Sequence, residues 1–253
     1  MRSQSYTTIR PDGAPLSKGE IASSLLVDRL QHRAQRQTLP AGASLFAEDD
    51  LVDRVLVLAS GWAMKSKSLI DGRRQILDFA LPGDVLGSLR GTRSSHAVEM
   101  LTAGEVVGVP ADLFVTMSES SPPLALEIAR RFESAELRAY ERIAAIGCRS
   151  AHLRVSRLLA ELAVRQAPSG PAIAPLRLTC PLRQIHIADA LGLRIETVCR
   201  VLGRLSRAGI AQLRGGELVV DDLAALRREG ERESPPPAGK VFDLRPAAVL
   251  HAA

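Results

Sequence analysis

The apolar positions change period several times along the chain. Between Leu39 and Val109 they come in short runs, "RVLVLASGWA", "RQILDFALPGDVLGSL" and "AVEMLTAGEVVGVP", punctuated by Gly, Pro and Asp. Short runs with Gly-bearing turns predict many strands folded as an antiparallel barrel or roll. Ahead of them, "IASSLLVDRLQHRAQR" reads as a short amphipathic helix over 21–36, and residues 1–20 as a flexible leader. From 112 to 147 the period becomes helical. Leu124, Ile128, Phe132, Ala135, Ala139, Ile143 and Ile146 recur at three-or-four spacing in "PPLALEIARRFESAELRAYERIAAIG", which opens on Pro and closes on Gly. That stripe predicts a helix of about seven turns, longer than the roll beside it needs. Two uses fit it: self-pairing as a two-stranded coiled coil, or burial as the central helix of a monomer.

A further helix follows in "AHLRVSRLLAELAVRQ", with Leu153, Leu158, Leu159 and Leu162 facing inward, and then the loop "APSGPAIAP". The segment 176–228 is compact. It reads as a strand "LRLTC", a helix over 182–191, a turn at Gly192, a helix over 195–208, and "AQLRGGELVV" as a hairpin with a Gly-Gly turn. Two short helices and a β wing make a winged helix-turn-helix. The predicted fold class is α+β, with an N-terminal antiparallel β-roll, a long dimerisation helix and a C-terminal winged helix-turn-helix. The division is a leader over 1–20, a sensor-like roll over 21–117, the dimerisation helix over 118–148, the DNA-binding domain over 149–230 and a flexible tail over 231–253.

Charge sharpens this picture. The chain nets +5, yet residues 149–230 alone hold 13 arginines against 7 acidic residues, a net of +6. Basic charge therefore belongs to the C-terminal third, as phosphate recognition requires. With four lysines in the whole chain, a solvated arginine face is the competing reading. No apolar run is long enough for a membrane span, and the polar first twenty residues lack the apolar stretch of a signal peptide, so the expectation is a cytoplasmic protein with no membrane partner. Three cysteines, Cys148, Cys180 and Cys199, form no CxxC pair, which argues against a disulfide scaffold or a zinc site. No P-loop, catalytic triad, zinc motif or dinucleotide fingerprint is present, so an enzyme is not expected, and neither metal nor cofactor.

The chemistry lies in the second helix of the unit. Val198, Val201, Leu202 and Leu205 are its buried stripe, which leaves Glu196, Cys199, Arg200, Gly203, Arg204 and Arg207 outside. Glu196 and Arg200 are four residues apart. On an ordinary surface helix they would be an ion pair worth about 0.3–0.5 kcal/mol. At the start of a recognition helix they suit base edges: Arg donates to guanine O6 and N7 together, and Glu accepts from cytosine N4. Arg194, Arg204, Arg207 and, in the wing, Arg214 are placed for phosphates.

"IHIADALGLRIETVCRVLGRLSRAGI" resembles the DNA-binding signature of the Crp/Fnr superfamily of bacterial transcription regulators, and its Glu-x-x-Cys-Arg form is most similar to the FNR/FixK branch. The resemblance covers 21–228, with "LPAGASLFAEDDLVDRVLVLASGWA" and "PGDVLG" similar to the family's β-roll. It implies a homodimer on double-stranded DNA, acting with RNA polymerase as an activator of low-oxygen metabolism. It implies Glu196 and Arg200 as base readers flanked by Ile195 and Cys199, and an operator resembling TTGAT-N4-ATCAA. Arg194 departs from the Thr or Ser common at that position, which weakens the helix N-cap.

Four inputs to the roll compete. Cyclic AMP relatives carry Gly-Glu-Leu, where Gly87-Ser88-Leu89 stands here, so the ribose acceptor is missing although Arg93-Ser94 resembles the phosphate half. An iron–sulfur cluster needs cysteines that are absent before Cys148. Haem would need His32 or His96. The preferred reading is no small ligand, as in FixK-like members. Cys180 and Cys199, near arginines, are redox candidates, since a thiol that ionises more easily oxidises more easily. The tail ends in "VLHAA", similar to endings that bacterial proteases read, against an inert tail. A sensor or scaffold that does not bind DNA is the remaining alternative.

Overall fold

The computed structural model describes residues 28, 30, 34–89, 91–168 and 174–231, with only the backbone of Cys148. The leader, most of the first predicted helix with His32, and the C-terminal tail with its protease reading lie outside the described residues.

Among the described residues ten strands build the roll: β1 (Gln35–Leu39), β2 (Ser44–Phe46), β3 (Leu51–Val52), β4 (Arg54–Ser60), β5 (Ala63–Ser68), β6 (Arg74–Ala80), β7 (Val85–Gly87), β8 (Thr92–Arg93), β9 (Ala97–Met100) and β10 (Gly104–Pro110). One antiparallel sheet runs β1-β10-β4-β7, a second runs β2-β9-β5-β6, and β3 pairs with β8. The continuous apolar run of β4 follows from burial on both faces. Leu58 joins Phe46, Ala63, Leu86, Val98, Met100 and Val106 in the roll core. Val55 and Val57 point the other way, with Val85, Val107 and Val109, and need a cover.

Helices supply it. α1 (Ala111–Ser120) ends at Ser121, and α2 (Pro122–Cys148) starts anew on two prolines. Pro is tolerated in a first turn, where its missing N–H costs nothing. Phe114 of α1 and Leu124 and Ile128 of α2 close over the valines. This corrects the coiled-coil stripe at its N-terminal end. Leu124 and Ile128 are 2% and 1% exposed within their own chain, so they are core residues and not a face for a second copy. Phe132 packs on the same cluster, and Ala135, Ala139 and Ile146 are half-buried, which leaves Ile143 as the stripe's one exposed member. The outward row is a different one. Leu126, Arg130, Glu133, Leu137, Tyr140, Ala144 and Gly147 are all exposed and alternate in steps of four and three. The long helix also starts at Pro122, inside the span 118–148 expected for it.

The C-terminal unit holds α3 (Ala151–Gln166), β11 (Leu176–Thr179), α4 (Gln184–Leu191), α5 (Ile195–Arg207), β12 (Ala211–Arg214), β13 (Glu217–Val220) and α6 (Leu223–Glu231). Ser150 caps α3 by accepting from the Leu153 N–H. α6 lies almost wholly inside the expected DNA-binding domain over 149–230, although no helix is expected there, and its Leu226 is fully buried on the unit's core. Its Gly230 lies so close to α3 that a Cβ there would stand 3.0 Å from the Arg157 Cα, and Glu229 meets His152 Nε2 at 2.6 Å. The roll joins this unit directly: Trp62, just before β5, and Met64, Ile76 and Phe79, on β5 and β6, belong to the same apolar cluster as α3, α4 and α5. No helix among the described residues is long and apolar enough to cross a membrane.

Candidate nucleic-acid interface

α4 and α5 are held at a fixed angle by what they bury. Ile187, Ala188, Ala190 and Leu191 face Val198, Val201 and Leu205, with Ile185 half-buried. Gly192 takes φ +61° and ψ 42°, the left-handed cap that lets α4 stop and the chain reverse. Leu193 donates its N–H to the Ala188 carbonyl, which completes the cap. Arg194 is the N-cap of α5 and its side chain makes no capping hydrogen bond, in line with the weak cap expected there.

The outward face of α5 carries the predicted set. Ile195, Glu196, Cys199, Arg200, Arg204 and Arg207 are all exposed, on a helix whose opposite side is buried. Glu196 and Arg200 are not an ion pair. Arg200 folds along its own helix, donating at 3.4 Å to the Glu196 backbone carbonyl and at 3.4 Å to Thr197 Oγ1. Arg207 likewise donates to the Gly203 carbonyl at 3.2 Å. None of Arg194, Arg200, Arg204, Arg207 and Arg214 pairs with a carboxylate of another described residue, although Arg177 pairs with Glu217, and Arg228 with Asp222, close by. The helix thus presents cations and one carboxylate whose partners are not supplied from within.

The wing is a three-stranded sheet, β11-β13-β12. Gly215 and Gly216 at φ +57° and +82° form its two-residue turn, and Arg214 stands exposed just before it.

The two cysteines separate. Cys199 is exposed on α5. Cys180 has no exposed surface, its backbone N–H goes to the Gly216 carbonyl, and burial pushes its thiol up to about 11. This corrects the expectation for Cys180: desolvation suppresses the thiolate that oxidation needs, and the residue packs the root of the wing.

In the roll, Arg93 donates to the Asp49 carbonyl, between β2 and β3, at 2.7 Å, and Ser94 donates within its own loop to the His96 carbonyl at 2.6 Å, so both halves of the nucleotide-like Arg-Ser are engaged by the roll itself. His96 packs its ring edge-on against Phe46, with centroids 6.0 Å apart. Sequence reasoning missed His186, which is buried in α4 and held by Arg183, whose Nη2 lies 3.3 Å from its Nε2. It also missed the charges at the roll junction; paired positions four apart, Arg138/Arg142 and Glu161/Arg165, were their only local trace.

A β-roll joined by a long helix to a winged helix-turn-helix with an arginine-rich outer face defines a DNA-binding regulator. The family model for the Crp-like helix-turn-helix domain matches residues 153–229, and that for the cyclic nucleotide-binding domain matches 36–121. The chain is 33% identical to the nitrogen fixation regulation protein FixK of Azorhizobium caulinodans, over 74% of this chain and 75% of that one. It is 31% identical to FixK of Bradyrhizobium diazoefficiens, over 86% and 94%. The solved structure of FixK2 from Bradyrhizobium japonicum superposes with a TM-score of 0.68 at 27% identity, over 77% of this chain and 96% of that one. The chain belongs to the Crp/Fnr superfamily of transcription regulators, in its FixK-like branch, and is not an enzyme.

Proposed function

We propose that this regulator is a homodimeric activator that reads a palindrome resembling TTGAT-N4-ATCAA and, with RNA polymerase, turns on genes of low-oxygen metabolism. The observation that carries the reading is the outer face of α5, where Glu196, Arg200, Arg204 and Arg207 stand exposed with no carboxylate partner for the arginines among the described residues. Arg200 lifts off its own helix to guanine, Glu196 accepts from cytosine, and Ile195 and Cys199 flank them. Arg194, Arg204, Arg207 and Arg214 take phosphates and fix the register.

The second copy docks on the outward row of α2. Leu126, Leu137 and Tyr140 are 52–57% exposed there, with Ile143 exposed beside the row, and the alternation of four and three steps is the spacing of a coiled-coil seam. Two recognition helices then stand about one helical turn of DNA apart, which suits a palindrome. Cys199 lies within the reading face, so its oxidation to an acid would set negative charge against phosphate and weaken binding.

Genome-wide footprinting of the purified protein, with and without peroxide, tests this. The expected result is a protected palindrome whose affinity falls steeply with salt and is lost as Cys199 oxidises. Salt-insensitive or absent DNA binding would sink the reading in favour of a scaffold protein. Unchanged affinity with Cys199 fully oxidised would remove the redox part alone.

A further inference from the structure

Six charged side chains meet where the roll, the long helix and the DNA-binding unit join. Asp78 of β6 is 5% exposed. It accepts from Arg138 Nε at 3.2 Å and Nη2 at 3.0 Å, and from Arg142 Nη2 at 3.5 Å. Arg142 also donates to Glu161 of α3 at 3.2 Å, and its guanidinium lies over the Phe79 ring, 5.8 Å from the centroid. Arg165 of α3 donates to Glu161 at 3.3 Å, to the Phe79 carbonyl at 3.0 Å and to Asp84 in the turn after β6. Arg138 completes the set, 3.6 Å from Asp84 and 3.9 Å from Glu161.

The arrangement has a logic. Asp78 and Asp84 belong to the roll, Arg138 and Arg142 to the long helix, and Glu161 and Arg165 to the first helix of the DNA-binding unit. Each of the three guanidiniums touches a roll carboxylate and Glu161. Burial pushes the Asp78 carboxyl up, and Arg138, Arg142, Arg165 and Lys65 outweigh it and hold the group below its ordinary value, so it is charged. Buried charge clusters of this kind seldom add stability over an apolar core, because desolvation offsets their attraction. Cohesion at the junction comes from Trp62, Met64, Ile76 and Phe79. Apolar contacts of that sort are non-directional. A planar guanidinium fork, in contrast, fixes angle and register.

We propose that Asp78, Asp84, Arg138, Arg142, Glu161 and Arg165 are positioning residues for DNA recognition: they hold the recognition helix at one orientation to the long helix. The proposal rests on the dimer-and-palindrome reading, because only a paired site is sensitive to how two recognition helices are spaced.

The test compares Asp78→Ala, Asp78→Glu and Arg138→Lys with the unaltered protein. Each is titrated with the full palindrome, with a single half-site, and with palindromes whose spacer is one base pair shorter or longer. Asp78→Ala is expected to lose at least about tenfold on the full palindrome, to keep half-site affinity within about twofold, and to lose its preference for one spacing. Asp78→Glu, which retains a carboxylate, recovers most of the loss, as a merely destabilised protein would not. If Asp78→Ala does not fold, Arg138→Lys, which keeps charge but not the fork, carries the comparison. A second readout needs no DNA: the distance distribution between spin labels on Cys199 and at an Ile70→Cys substitution should broaden in the same variants. A folded variant that keeps both spacing preference and a narrow distribution overturns the proposal. A protein that binds no palindrome, yet shows the broadening, sinks the functional reading and leaves the link standing.

Discussion

Arg200 and Glu196 show what spacing alone can and cannot say. Four residues apart on a helix, they satisfy the rule for a surface ion pair, and the folded chain declines that option. Replacing Arg200 with Ala should cost about 1–3 kcal/mol per half-site and relax base choice at one position, measured by titrating operator variants. A uniform loss across all sequences would make Arg200 a phosphate contact. These residues were readable beforehand because a recognition helix shows its chemistry as a local stripe. Cys180 was not. "LTCPL" does not reveal which side of the chain faces the core, and only the pairing of β11 with β13 buries the thiol.

The long helix was found from its period, but its stripe was assigned to a second copy and the outward row was missed. Periodicity identifies a face without identifying its neighbour. The valines of β4 and β10 claim Leu124 and Ile128, and a separate row looks outward. The two faces should therefore respond differently. Leu124→Ala should lower unfolding stability by about 2–5 kcal/mol and leave a dimer intact in the folded fraction. Leu137→Glu should leave the fold in place and yield a monomer in analytical ultracentrifugation. Equal effects from both would mean the faces are wrongly assigned. α6 escaped notice for a related reason: "LAALRREGE" is short and charged, and its helical character rests on Leu226 and Gly230 meeting α3.

The union of the two domains was the part least visible in the sequence. Its ion pairs join positions 60 residues apart, as in Arg138–Asp78, and 115 apart, as in Arg74–Asp189. No local pattern carries such pairings. His186 sits at this junction, and burial, then Arg183 and Arg74, lower its pKa, with Asp189 opposing. A base whose folded pKa is lowered takes its proton more readily when unfolded. The stability it contributes is therefore present above the ordinary histidine value and lost as pH falls through about 6.5 towards the folded value. Melting temperature should fall between pH 7.5 and 5 less steeply in His186→Gln than in the unaltered protein; identical slopes would exclude His186 as a source. The clasp of α6 on α3 has a mechanical consequence. Among the described residues, α6 is the last element, so a force applied from beyond Glu231 would peel it away before any other and expose the helix that carries Glu161 and Arg165. The order of collapse would run from the DNA-reading end towards the roll, silencing the regulator before most of it is unravelled.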